Sequence, residues 1–410
     1  MSPGAPRRPC YNARVATPAQ DLARWIPRLL AVWRAGRRGG RPGPKPPPDR
    51  LAPDELKDVA RAVERLSKGL TRERELAGAR YMDEQHLLGA YLLFYWPTSY
   101  LQARGTLSEL PHRPGAVLDL GSGPAPLAFA AWDAGASSVT ACDRSAPALA
   151  TARALAAAAH VPLTTKEWNP TRGRPLAELG TGRGFDTVTF GHVLNELFQG
   201  EGAALRRTAL LEEACGLLRP GGSVLVVEPA LRETSRHLLE VRDLAVERGY
   251  AVRAPCLFRG PCPARLKESD WCHAERAIEP PPLVAELARA AGLRKEAVKM
   301  SYLALAPKGE PWRAPPPTPA GARLFRIVSE PLPSKGRLRY MGCGPEGRLG
   351  LALQEKHVDE RNRAFEGLLR GDVVEVTATE PSGDGLKLGP ESEVRVVAPA
   401  GAPLPEGPGA

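Results

Sequence analysis

Hydrophobic and polar positions change period along this chain. Ala116-Val117-Leu118-Asp119-Leu120 is a short, almost unbroken apolar run, and comparable runs recur near 138–142, 163–166, 186–190, 223–228 and 299–306. Short apolar runs bounded by turn residues read as strands buried on both faces. Helical stretches lie between them: Leu127 to Trp132, the Ala-rich 146–159, and Leu205 to Leu218, closed by Arg219-Pro220-Gly221-Gly222. This alternation over 115–308 predicts a doubly wound parallel sheet. Upstream, Leu56, Val59, Ala60, Val63 and Leu66 recur with helical spacing; the pattern resumes from Arg72 to Tyr95, and Pro97 is expected to stop it. Leu22 to Trp33 fits a short amphipathic helix in an otherwise solvated tail. Beyond Pro311–Pro319 the runs shorten to 324–329, 337–341, 348–354, 372–379 and 393–397 between Gly and Pro turns. That predicts a five-stranded barrel of the OB type. The expected divisions are a basic Pro/Arg-rich arm (1–50), a helical segment (51–104) and an α/β domain (105–310) with an insertion (252–278). A linker (311–321), a β module (322–398) and a tail (399–410) follow.

Composition narrows the classes. The chain has 410 residues, room for two or three domains, and no apolar run of the roughly 18 residues a membrane span needs. No membrane partner and no secretory leader are expected. The net charge is +10, carried mostly by Arg, whose planar fork suits phosphate. Nucleic acid is the partner class this favours, although a GC-rich genome also enriches Arg. The arm, with Arg7-Arg8, Arg37-Arg38 and the run Pro42–Pro48, is either a solvated tail or a segment that folds onto RNA. Arg323, Arg326, Lys335, Arg337 and Arg339 would give the β module a basic face. Tyr91, Phe94, Tyr95, Trp96 and Tyr100 form an aromatic group read as packing, with base stacking as the other option.

The first strand leads into Asp119-Leu120-Gly121-Ser122-Gly123-Pro124. Glycines at 121 and 123 permit a sharp turn and close approach of a ligand, with helix-opening amides facing it. Many such turns are only tight turns. Here a second strand ends at Asp143, about 20 residues on, where an acidic side chain can hold a ribose hydroxyl pair. With Pro in place of a third Gly, the arrangement resembles S-adenosylmethionine-dependent methyltransferases more than NAD enzymes. The strand ends put 168–169 and 191–196 at the same pocket, with Asn169 and His192 as candidates; capping and turn hydrogen bonds would equally explain His192 and Asn195.

Seven cysteines occur, and with no leader, metal binding is favoured over disulfides. Cys256, Cys262 and Cys272 stand at C-x5-C-x9-C, and Cys343 lies in Met341-Gly342-Cys343-Gly344-Pro345. Four thiolates can close a zinc site or hold an iron–sulfur cluster. The wide spacing leaves cluster, zinc and unrelated buried cysteines all open. Cys142 and Cys215 read as core, and Cys10 as a tail thiol.

Several stretches together resemble a methyltransferase-like family associated with the small ribosomal subunit, known from mitochondria and with bacterial relatives: "RYMDEQHLLGAYLLFYWPTSY", "VLDLGSGPAPLAFAAW", "GHVLNEL", "VVEPA", "PCLFRGPCPARL" with "DWCH", and "YMGCGPEGRL". The similarity covers about 70–380. It implies an α/β fold of class I methyltransferase (Rossmann-like) type, with an N-terminal helical segment and a small C-terminal β-barrel-like module. It also implies bound S-adenosylmethionine, a structural 4Fe–4S cluster on Cys256, Cys262, Cys272 and Cys343 (zinc being the alternative), and a role in small-subunit assembly on rRNA. Asp119, Gly121, Ser122 and Gly123 would border the methionine and ribose, and Asp143 the ribose hydroxyls. A cytoplasmic monomer is expected, with the mitochondrial matrix as alternative.

No catalyst is evident. The Asp/Asn-Pro-Pro-aromatic run of amino-methylating enzymes is replaced by Gly191-His192-Val193-Leu194, and Asn169-Pro170 follows the wrong strand. Pro255-Cys256 and Pro261-Cys262 superficially match a Pro-Cys nucleophile but belong to the cysteine set. Methyl transfer by positioning alone stays open. The readings are thus an assembly factor, an active rRNA methyltransferase, or a redox-sensing RNA binder gated by its cluster.

Overall fold

The computed structural model describes residues 17–37, 47–172, 175–180, 182, 184–405 and 407. Arg7-Arg8, Cys10, Arg38 and Pro42–Pro46 lie outside them.

The N-terminal part is a helical layer: α1 (Pro18–Gly36), α2 (Pro53–Ser67), α3 (Gln85–Ala90) and α4 (Trp96–Leu107). Helix α1 is not a solvated tail. Leu22, Trp25, Ile26, Leu29 and Leu30 recur at helical spacing and are all buried, and Trp25 Nε1 donates to Asp133 at 2.7 Å. Thr17 and Gln20 form a capping box at its start. The stretch from Arg72 is not one helix. It opens into an irregular segment over 73–84 and then passes through a π-helical turn, Tyr91–Tyr95. Pro97 does not end the helix; it occupies the first turn of α4, where its missing N–H costs no hydrogen bond. Tyr91, Phe94, Trp96 and Tyr100 are buried and Tyr95 partly so, with Trp96 and Tyr100 stacked at 5.4 Å. Their rings build the layer, and those of Phe94, Trp96 and Tyr100 are closed to bases.

The α/β domain follows as β1 (Ala116–Leu120), α5 (Pro126–Asp133), β2 (Ser138–Asp143), α6 (Ala146–Ala159), β3 (Leu163–Glu167), β4 (Phe185–Gly191), α7 (Ala203–Cys215), β5 (Leu218–Pro229), α8 (Arg232–Glu247), β6 (Val252–Ala254), β7 (Ala274–Ala277), α9 (Pro282–Ala290) and β8 (Ala297–Leu305). The strand order is β3-β2-β1-β4-β5-β8-β6, with β7 also on β8. Strands β1 to β5 run parallel, whereas β8 is antiparallel to β5. Val117 packs into the core on one face, with α1–α6 and α9, and Leu118 into the core on the other, with α7 and α8. That two-sided burial is why these strands are apolar throughout. Arg219-Pro220-Gly221-Gly222 does not close α7. The helix ends at Cys215, and Leu218 already pairs with Phe185 across a register shift.

The C-terminal module has eight strands among the described residues, not five: β9 (Arg323–Ile327), β10 (Leu332–Ser334), β11 (Arg337–Gly344), β12 (Gly347–Gln354), β13 (Val373–Val376), β14 (Thr379–Ser382), β15 (Gly385–Leu388) and β16 (Val394–Ala398). Their order is β14-β15-β12-β11-β9-β13-β16, curled around Phe325, Ile327, Tyr340, Leu351 and Phe365. The basic face is narrower than its sequence suggests. Arg323 pairs with Glu346, and Arg326 is buried on Glu109.

Glu109, after α4, joins the domains. Its carboxylate accepts from Arg276 (2.8 Å), Tyr302 (2.5 Å) and Arg326 (3.0 Å), one group each from β7, β8 and β9. Burial works against the charge on Arg326, and Glu109 more than restores it, holding the guanidinium above its ordinary pKa.

Candidate functional site

Two sites stand at the edges of the α/β sheet. The first lies outside the carboxyl ends of β1 and β4, where the strand order reverses, the usual place for a ligand in an open parallel sheet. It is a cavity of about 170 Å³ walled by Gly121, Asp143, Trp168, His192 and Glu196 and roofed by Gly78 to Asp83.

The glycine turn is built as its residues require. Gly121 and Gly123 have φ of +68° and +53°, and a Cβ on Gly121 would come within 2.8 Å of Val193 Cβ. The turn's amides, however, do not face the cavity. Gly121 and Ser122 donate to the Cys142 carbonyl at 2.8 and 3.0 Å, and Gly123 donates to Asp143 Oδ2 at 2.7 Å. Asp119 lies below the turn. It accepts from Thr189 at 2.7 Å and from the Ala128 amide at 3.2 Å, and burial pushes its pKa up to about 7. Asp119, Ser122 and Gly123 therefore shape the turn, while Gly121, Asp143 and His192 line the cavity. Asn169 sits beside the lining residues Trp168 and Pro170, and its Oδ1 caps Thr171.

Buried titratable groups stand on or behind the wall. Burial, then the Lys295 charge, depress His192 to about 4, so the ring is neutral. Gln102 Nε2 donates to the Lys299 carbonyl, which leaves Oε1 to accept from His192 Nε2 at 2.8 Å. Burial raises Glu196 to about 8, and its Oε2 accepts from the Gly78 amide at 3.3 Å. Glu228 is raised by burial to about 7, and Asn195 donates to it through both its amide and its side chain. Trp168 lines the cavity, and its Nε1 is buried with no hydrogen-bond partner among the described residues.

The roof went unread in the sequence. Arg144 Nη2 donates to the carbonyls of Gly78 (2.8 Å) and Ala79 (2.7 Å), Ser145 donates to Asp83 (2.7 Å), and Arg74 donates to Asn195 (2.7 Å). The only sequence signal was that Arg80-Tyr81-Met82-Asp83 lies in a stretch similar to the family.

The second site is a cavity of about 70 Å³ between the insertion and the β module, and Cys256, Cys262, Cys272 and Cys343 all line it. Among the described residues, no three His, Cys, Asp or Glu side chains are placed to hold one metal ion. Burial, then the neighbouring cysteines, push Cys262, Cys272 and Cys343 up to about 12. Helix α8 fastens the loop that carries them. Arg242 donates to the Phe258 and Gly260 carbonyls, and Asp243 accepts the Cys262 amide at 3.0 Å. Arg236 donates to the Lys267 and Asp270 carbonyls at 2.8 Å each. Arg242, Arg326 and Arg370 also line the cavity, so thiolates there would face cations. Cys142 and Cys215 are buried in the core.

A search of curated protein sequences finds no match. Similar solved structures include a ribosomal protein L11 methylase from Lactobacillus delbrueckii subsp. bulgaricus, with 16% identity over 52% of this chain and 77% of that one at a TM-score of 0.30. A precorrin-6y C5,15-methyltransferase from Geobacter metallireducens has 16% identity over 50% and 87%, TM-score 0.32. TrmN from Thermus thermophilus has 20% identity over 53% of each chain, TM-score 0.32. The fold assignment stands on the strand order itself, which is that of a class I methyltransferase with its antiparallel penultimate strand. The sequence family described as mitochondrial small ribosomal subunit Rsm22 matches residues 88–373, from α3 through the first residue of β13, well over half of the chain. The chain belongs to this Rsm22 family, a methyltransferase-like family of the small ribosomal subunit.

Proposed function

We propose that the protein is an RNA-binding assembly factor of the small ribosomal subunit that holds S-adenosylmethionine in the first cavity and a 4Fe–4S cluster in the second. The observation that carries this reading is the convergence of four cysteines, one of them more than 70 residues from the rest, on one cavity between two domains. The donor set fits: four thiols, no competing carboxylate on the lining, and buried arginines to offset the charge. The cluster's role would be structural, fixing β11 to the insertion. Cys262→Ser should lose iron and lower the unfolding temperature. Anaerobically purified protein should be brown; a colourless protein with one zinc per chain would overturn the cluster.

For the first cavity, Asp143 would take the ribose hydroxyls on its remaining lone pairs, with Trp168 on the lining beside it. Asn169 and His192 would border the ligand, and Asp119, Gly121, Ser122 and Gly123 would hold the turn against it. Bound adenosylmethionine would supply an electrophilic methyl and a cationic sulfonium, which the Asp143 carboxylate would favour. Asp143→Ala should weaken adenosylmethionine binding in calorimetry. The mitochondrial matrix is the compartment we infer from the family's description.

A second reading, rRNA methylation, is favoured by Glu196. A buried carboxyl with a pKa of about 8 on the cavity wall can take a proton near neutral pH. Methylation of small-subunit rRNA that is lost in Glu196→Gln, with adenosylmethionine still bound, would establish it. Unchanged methylation in a strain lacking the gene would refute it.

A further inference from the structure

Beyond Cys343, which lines the second cavity, the outer face of the β module carries a feature that neither cavity uses. Alternation along β11 buries Tyr340, Gly342 and Gly344 and turns Arg337, Arg339, Met341 and Cys343 to the other side. On β12, Arg348, Gly350, Ala352 and Gln354 share that side, since Arg339 pairs with Ala352 and Cys343 with Arg348. Gly350 in turn pairs with Gly385 on β15, so glycines and one alanine floor the middle of the face. A Cβ on Gly350 would sit 3.7 Å from Arg339 Cδ and 3.9 Å from Met341 Sδ, so these two side chains flank the small-residue floor.

Charge is arranged along this floor. Lys335, Arg337 and Arg339 are exposed and have no ion-pair partner among the described residues. Of the acids nearby, Glu380 pairs with Lys387, Asp270 with Arg348 and Glu330 with Arg370. At the other end, beside Cys343, Trp271 is 36% exposed and stacks with His273, ring centroids 6.1 Å apart and planes 19° apart. From Arg337 to Cys343 the strand covers about 20 Å at ~3.3 Å per residue. At ~3.4 Å per stacked nucleotide that is about six nucleotides.

We propose that this strip is the RNA-binding surface. A single-stranded segment lies along β11, its phosphates on Lys335, Arg337 and Arg339, and one base stacks on Trp271 beside the cysteine cavity. The glycine floor lets the strand approach the sheet, and the free guanidiniums supply the phosphate contacts. The chemistry selects a polyanion with flat rings, which an acidic protein surface lacks. The assignment rests on the RNA reading above and adds the place.

The test uses the full chain, fluorescence anisotropy, and an oligouridylate of about 20 nucleotides, longer than the ~4–16 that a sheet of this size holds. Arg337→Gln with Arg339→Gln should weaken binding at least about tenfold. It should also flatten the dependence of log K on log salt by about 1.4, two contacts at ~0.7 each. Arg289→Gln with Arg294→Gln, the same charge change on and just after α9, should leave both unchanged. Trp271→Ala should cost about tenfold, and Trp271→Phe should restore most of it. Wild-type binding with no loss in the β11 pair, or equal loss in both pairs, overturns the strip and leaves the RNA reading standing. No binding by the wild-type chain overturns the RNA reading itself.

Discussion

Replacing Glu109 by alanine removes a carboxylate that three strands share. Its side chain is about 1% exposed and receives Arg276 at 2.8 Å, Arg326 at 3.0 Å and the Tyr302 hydroxyl at 2.5 Å. Arg326 keeps the Gly371 carbonyl and Arg276 keeps those of Glu275 and Arg370, so neither donor set is emptied. What is lost is the countercharge of two guanidiniums, one buried and one nearly so. Breaking a buried pair from one side costs about 3–5 kcal/mol, because the other charge stays behind. Arg326 lies on the β module and Arg276 on the insertion, so the cost falls on the joint that brings Cys343 to the other cysteines. Glu109→Ala should therefore split urea unfolding monitored by circular dichroism into two steps, the module releasing first, and lower metal retention. Glu109→Gln, which keeps a neutral acceptor, should lose roughly half as much. Adding Arg326→Met to Glu109→Ala should recover part of the loss, since an apolar side chain replaces the orphaned charge. A loss below about 1 kcal/mol in Glu109→Ala, with one cooperative transition, would refute the reasoning.

Gly121→Ala should cost about 2–4 kcal/mol, from a left-handed φ of +68° and the approach to Val193, read as thermal unfolding together with weakened adenosylmethionine binding. Glu196 has its pKa raised from 4.5 to about 8 in the folded chain by burial, with Glu228 adding to the rise and Arg144 and Arg74 opposing it. The folded state then holds the proton more tightly, so this group's stabilisation is complete below about 4.5 and is lost as pH rises towards 8. Urea midpoints across that range should fall less steeply in Glu196→Gln, and identical slopes would contradict the assignment. Trp25→Ala should cost about 3–5 kcal/mol by the same measurement, because the ring is 3% exposed in the core; a loss under 1 kcal/mol would mean α1 is dispensable to it.

Local pattern carried far in this chain. The helix 146–159 and the strands at 116–120 and 138–143 are where apolar periodicity and turn residues put them, because a doubly covered parallel strand has no alternative to an unbroken apolar run. The glycine turn was legible for the same reason: it is a short motif whose residues act together locally. What the sequence left undetermined depends on contacts between distant segments. Nothing near residue 25 indicates that Trp25 meets Asp133, so α1 read as tail. Nothing near Gly78 says that it caps β4's end through Glu196. Asp119 and the turn amides looked like ligand contacts until Thr189, Ala128 and Cys142 proved to occupy them. Arg326 read as a surface cation beside Arg337 and Arg339, and only Glu109, 217 residues away, draws it inside. Residue types and their spacing determined the elements and nominated the chemistry. Tertiary structure decided which nominated groups had already found partners, because a buried polar group must be satisfied wherever in the chain its partner lies.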